Sequence, residues 1–212
     1  MNTDGLPAIA DAIRGHLDAK HKAREQALSL SRDVVRLSAN AIRAVHRGEF
    51  TSAEELLARA KDNLDRTREG LREHTDIFHA GFVHDAQKEF AEAHTTLALI
   101  AGRPLPGADD LGVMGASYLN GLGETVGELR RHLLDSLRAG DIAHCEECLT
   151  AMGDIYDILI TMDYPEAVTA GLRRTADAMR GILERTRGDF TMAYVQRQLE
   201  EKLREIQERL PQ

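Results

Sequence analysis

The stretch HLDAKHKAREQALSLSRDVVRLSANAIRAVHRG, residues 16–48, decides the fold. Its apolar positions Leu30, Val34, Leu37, Ala41 and Val45 recur every three or four residues, the period of one face of an α-helix. Leu6, Ile9, Ile13 and Leu17 carry the same stripe upstream, and neither Gly nor Pro interrupts the run between Gly15 and Gly48. The spacing predicts one helix from about Pro7 to Arg47, roughly 60 Å long at about 1.5 Å per residue. Such a rod exceeds the width of a small domain and points to oligomer contacts along its length.

Working outward, Gly48 ends this helix. The pattern Thr51-Ser52-Ala53-Glu54 reads as a capping box that starts the next, with Leu56, Leu57, Ala60, Leu64 and Leu71 as its buried stripe. A third helix is expected over about 82–101, ending at Gly102, and GRPLPGADDLG, 102–112, is the clearest loop. A fourth spans about 114–139, closed by Gly140 with Asp141 as the cap of a fifth, about 142–162. Pro165 opens a sixth, to about Arg187, and a charged seventh covers 192–210. The expected architecture is therefore an all-α, seven-helix bundle, a single domain over 1–212.

Composition agrees and excludes several classes. Trp is absent and aromatics are 4%, fewer than a β-sandwich or barrel packs with. Two Cys cannot build a disulfide framework. No apolar run approaches the ~20 residues of a membrane span, and the N-terminal stretch lacks the basic tip and apolar core of a signal peptide. The expected compartment is the cytoplasm. There is no P-loop and no dinucleotide fingerprint.

Charge is uneven. Residues 1–72 carry 13 basic and 11 acidic side chains, and the remainder 14 and 24. Arg32, Arg36, Arg43 and Arg47 share a narrow sector of the first helix, either a solvated face or a phosphate-contacting stripe. In the third helix Glu89 falls in the stripe of Phe82, Ala86, Ala93, Leu97 and Ile100, with Glu92 at its edge. A carboxylate there is costly unless paired or bound to a cation. In the fourth, Glu124 and Glu128 lie opposite Leu119, Leu122, Val126, Leu129 and Leu133, together with Ser117, Gly121 and Asp135. Gly115, Gly121, Gly123 and Gly127 in one helix imply close approach by another helix or a ligand. Two Glu from each of two packed helices could converge on a hard divalent cation, Mg²⁺ or Mn²⁺. A solvated acidic face is the plainer alternative. Cys145 and Cys148, preceded by His144, have half the ligands of a structural zinc site and read as small buried side chains. Asp154 and Asp157 form a weaker acidic pair, and His84, His94 and His132 have no assigned role.

These residues together resemble the translin superfamily, and within it the translin-associated factor X type. The resemblance rests on residues 16–48, on KEFAEA (88–93) with its E-x-x-E motif, and on SYLNGLGETVGELRRHLLDSLRAGD (117–141) with its G-E-L core. MDYP, 162–165, and the charged C-terminal helix are consistent with it. It implies seven-helix subunits in hollow oligomers around single-stranded nucleic acid, and a Mg²⁺-dependent endoribonuclease. The resemblance assigns the catalytic and metal-binding carboxylates to Glu89, Glu92, Glu124 and Glu128; Glu124 stands where the factor X type commonly has Asp. The expected partners are single-stranded RNA, single-stranded DNA and further copies of the chain in a hexamer or octamer, with no membrane. The competing readings are a non-catalytic single-strand binder, a structural subunit activating a catalytic partner, and an unrelated bundle with acidic solubilising faces.

Overall fold

The computed structural model describes residues 2–209. The element order is α1 (Leu6–His46), α2 (Phe50–Gly70), α3 (Thr75–Phe78), α4 (Gly81–Ile100), α5 (Ala108–Leu111), α6 (Gly115–Ala139), α7 (Ile142–Leu159), α8 (Glu166–Thr169) and α9 (Leu172–Arg209). The described residues contain no strand, and none of their helices is long and apolar enough to cross a membrane.

The long first helix forms as the periodicity predicts. Leu30, Val34, Leu37, Ala41 and Val45 are buried. By contrast, Leu6, Ile9, Ile13 and Leu17 are each more than half exposed. The first four turns of α1 therefore project beyond the body of the subunit with an apolar stripe uncovered.

Three local expectations are corrected. The capping box at Thr51 does not form: α2 begins at Phe50, its N-cap is Glu49, and no side chain caps it. Phe50 packs on the core, and the Ala53 N–H already bonds to the Glu49 carbonyl at 3.0 Å, which pulls the start one residue earlier. The loop 102–112 contains the single turn α5, in which the Gly107 N–H donates to Asp110 Oδ2 at 2.8 Å. The sixth and seventh helices are one. Pro165 precedes only the single turn α8, Ala170 and Gly171 then take left-handed backbone (φ 51° and 87°), and α9 runs unbroken from Leu172. Phe190, buried beside Leu133, Cys145 and Cys148, holds α9 on the body across the expected gap. Leu210, the expected end of the last helix, lies outside the described residues. The junction at Gly140 and Asp141 is as expected, with Asp141 Oδ1 accepting from the His144 N–H at 3.1 Å.

Two apolar layers result. One joins α1, α2 and α4 around Val34, Leu57 and Phe90; the other joins α6, α7 and α9 around Val126, Met152 and Met179. The seam between them is the packing of α4 on α6. It is tight because position 121 is glycine: a Cβ there would lie 2.5 Å from the Lys88 carbonyl oxygen and 2.9 Å from the Glu92 nitrogen. Gly123 lies as close to Thr175 and Met179 of α9, whereas Gly115 and Gly127 face open space. Helix approach thus accounts for two of the four glycines.

Candidate metal centre

The α4–α6 seam brings together three of the four carboxylates that the sequence marks. One oxygen each from Glu89, Glu92 and Glu124 lies within 4.8 Å of the others. The two helices set their burial in the reverse of the sequence expectation. Glu92, not Glu89, is the buried one, only 9% exposed, while Glu89 is half-buried. Because α4 is packed by α1 on one side and α6 on another, its buried arc is wider than one stripe. It extends past Ala91 and Thr95 to take in Glu92. Because α4 covers the face of α6 opposite its stripe, Ser117 and Gly121 there are buried, and Asp135, further along that face, is exposed.

The electrostatics follow from this burial. The Glu92 carboxyl is pushed up to about 8, first by burial and then by the negative charges of Glu89, Glu124 and Glu128. Burial also raises Glu89, partly offset by Lys88. Lys88 supplies the positive charge inside the cluster. Its Nζ donates to Glu124 Oε1 at 2.7 Å and lies 3.6 Å from Glu89 Oε1. Burial works against its charge, but the bond to Glu124 and the surrounding carboxylates hold it above the ordinary lysine range.

Glu128 stands apart from the three. Its Oε2 accepts from His46 Nε2 at 2.5 Å, and Arg131 lies 3.8 Å away. The His46 bond keeps its carboxyl below the usual glutamate range despite partial burial. A cavity of about 530 Å³ opens beside the cluster. Glu92, Glu124, Arg174, Thr175, Met179 and Ile182 line it.

Lys88, His46 and Arg174 were not singled out in the sequence. Lys88 adjoins Glu89 in KEFAEA, and that adjacency was the only available signal. His46 and Arg174 reach the site from α1 and α9, and no local pattern marks them.

The arginine stripe forms but does not join the carboxylates. Arg32, Arg36 and Arg43 on α1 and Arg47 at its C-cap are all exposed, within a sector of about 60° opposite the buried face of the helix. Three are engaged: Arg36 with Asp33 at 2.7 Å, Arg43 with Asn40 at 2.6 Å, and Arg47 with both oxygens of Glu49.

Cys145 and Cys148 are buried and unbridged, as expected. Burial raises both thiols, Cys148 to about 11. Burial likewise depresses His94 to about 4, against the edge of Phe90, and His84 Nδ1 contacts Ser117 Oγ at 3.0 Å.

No family model matches the chain. An uncharacterized protein of Methanocaldococcus jannaschii is 31% identical over 197 residues, covering 91% of this chain and 86% of its own. AfC3PO in complex with duplex RNA aligns with a TM-score of 0.81 at 33% identity, over 89% of this chain and 97% of that one. The crystal structure of AfC3PO alone gives 0.81 and 33%, over 89% and 98%. Apo-NeC3PO shares the fold, with a TM-score of 0.78 at 19% identity over 87% and 96%.

Proposed function

The chain belongs to the translin/C3PO family, and from that premise we propose that it is a divalent-cation-dependent endoribonuclease cleaving single-stranded RNA within a hollow homo-oligomer. The observation that carries the reading is the convergence of Glu89, Glu92 and Glu124 at 4.8 Å or less. Burying Glu92 among like charges is unfavourable without a cation, and an all-oxygen donor set suits Mg²⁺ or Mn²⁺. Glu89, Glu92 and Glu124 would hold the ion. When bound, it polarises a phosphate and acidifies water.

The chain's own residues do the rest. Glu128, ionised and oriented by His46, takes the proton of the attacking water. Lys88 holds Glu124 in place. Arg174 meets a backbone phosphate at the mouth of the adjoining cavity, and Met179 and Ile182 form an apolar floor for a base. The stripe Arg32, Arg36, Arg43 and Arg47 contributes further phosphate contacts, and AfC3PO, solved with duplex RNA, supports an RNA ligand. For assembly, the support is two uncovered apolar stripes: Leu6, Ile9, Ile13 and Leu17 on α1, and Met192, Val195, Leu199, Leu203 and Ile206 on α9. They provide the interface of a hexamer or octamer. A monomer by light scattering at micromolar concentration overturns that assembly.

The activity is tested on labelled single-stranded and duplex RNA with Mg²⁺, with Mn²⁺ and with EDTA. Single-strand cleavage should require the divalent ion. It should fall by about 10²-fold or more in Glu128→Gln, with RNA binding retained. Cleavage that survives EDTA, or a Glu128→Gln protein at the wild-type rate, overturns the mechanism. One observation favours a second reading: Lys88 already neutralises Glu124 without any ion, as a non-catalytic single-strand RNA or DNA binder would tolerate. Binding without cleavage of either RNA selects it.

A further inference from the structure

A second group of ligand-type side chains lies outside the acidic centre, at the end of the seam between α6 and α7. His132 Nε2 and His144 Nε2 face each other at 2.8 Å, their rings perpendicular. Together with Cys148 they offer three donor atoms within 4.8 Å of one another. His144 and Cys148 are one turn apart on α7, so the helix itself sets them on one face.

The surroundings have the features of a ligand set. Glu147 Oε2 lies 3.2 Å from His144 Nδ1. Accepting that proton leaves the His144 Nε2 lone pair turned toward His132, the carboxylate–histidine arrangement that orients metal-bound imidazoles. Cys145, one position after His144, is not part of the group: its thiol donates to the Leu133 carbonyl of α6 at 3.4 Å. Cys148 has no such partner among the described residues. It lies fully in the wall of the group, while the two histidines are partly open to solvent.

We propose that His132, His144 and Cys148 form a soft-metal site for Zn²⁺, separate from the acidic centre, that fastens α7 to α6. A tetrahedral zinc with bonds of about 2.0–2.3 Å needs its nitrogens about 3.3 Å apart and each about 3.5 Å from the sulfur. The observed spread reaches this by small side-chain rotations. A thiolate with two imidazoles selects Zn²⁺ over Mg²⁺, which prefers oxygen. On binding, the Cys148 thiol loses its proton to solvent, the His132 proton moves to Nδ1, and the fourth position is taken by water.

The test uses the full chain, stripped with EDTA and returned to buffer with excess Mg²⁺, then titrated with Zn²⁺ and separately with Co²⁺. The wild type should bind one Zn²⁺ per chain despite the Mg²⁺, and Co²⁺ should produce a thiolate-to-cobalt charge-transfer band. Cys148→Ser should abolish the band, Cys145→Ser should keep it, and His144→Ala should lose Zn²⁺ binding. Glu147→Ala should weaken Zn²⁺ about tenfold with the band retained. Circular dichroism confirms that each variant is folded. Absence of the band in the wild type, its survival in Cys148→Ser, or its loss in folded Cys145→Ser overturns the site. Glu92→Gln should leave Zn²⁺ binding unchanged; its loss there would move the ion to the acidic centre and overturn the assignment.

Discussion

His46 and Glu128, 82 positions apart, are joined by a 2.5 Å bond from the imidazole Nε2 to a carboxylate oxygen. The other ring nitrogen of His46 is buried with no partner among the described residues. The imidazole therefore spends its one well-paired position on Glu128. Since the histidine side chain is only 4% exposed, it holds that carboxylate rigidly.

His46→Ala should release Glu128. Its carboxyl should rise toward the ordinary glutamate range, and cleavage should fall about 10- to 100-fold, the usual cost of removing an orienting partner. His46→Gln, which keeps a donor, should recover part of it. A pH–rate profile whose acidic limb does not move in His46→Ala would show that the pair has no part in the chemistry.

Glu92 should make the metal-free protein sensitive to pH. Its carboxyl is raised to about 8 by burial and by its charged neighbours, so the native state keeps a proton that the unfolded chain has already lost. Stability in EDTA should fall as pH rises from the ordinary glutamate range through about 8, then level off. At about 1.4 kcal/mol per pH unit the total is a few kcal/mol. Mg²⁺ competes with that proton, so its stabilising effect should grow over the same window. Glu92→Gln should flatten both trends. Thermal melts in EDTA with one midpoint across that range would contradict this.

The arginine stripe should govern binding rather than turnover. Arg36→Glu with Arg43→Glu should weaken single-stranded RNA binding and reduce its dependence on salt. Glu49→Gln frees the Arg47 guanidinium from its carboxylate and should tighten binding. Affinity that ignores both changes in an intact oligomer would take the stripe out of the interface.

Gly121→Ala should injure fold and site together. The added methyl meets the Lys88 carbonyl at 2.5 Å, a backbone atom that cannot swing aside. Overpacking of this kind costs about 1–3 kcal/mol, and relief by spreading α4 from α6 would part Glu92 from Glu124. Gly127→Ala, where nothing lies within 4 Å, should be neutral or slightly stabilising. Equal melting temperatures for the two variants would refute the tight seam.

The sequence made the helical class and the long first helix legible because period and length are local properties, written out at Leu30, Val34, Leu37, Ala41 and Val45. The carboxylates were legible as candidates for the same reason. Which of them is buried was not: a single stripe drawn through Phe82, Ala86 and Ala93 assumes one packing partner, and α4 is packed by α1, α2 and α6. The continuity of α9 turned on Phe190 reaching a pocket formed by α6 and α7, a contact that no window around Gly188 contains. His46 and Arg174 were invisible because their helices are chosen by the topology and not by their neighbours in sequence.

In the proposed assembly, the overhang of α1 would couple secondary structure to quaternary structure in one equilibrium. From Leu6 to Ala19 every residue of the helix is exposed, and near its inner end Lys20 pairs with Asp76, so alone this arm has the thermodynamics of a peptide and frays from its tip. A neighbouring copy in that assembly would cover Ile9, Ile13 and Leu17 and supply the burial that fixes it. Dilution of that oligomer below its assembly threshold should therefore unwind the arm while leaving the two apolar layers folded, so that helicity at constant temperature would depend on protein concentration.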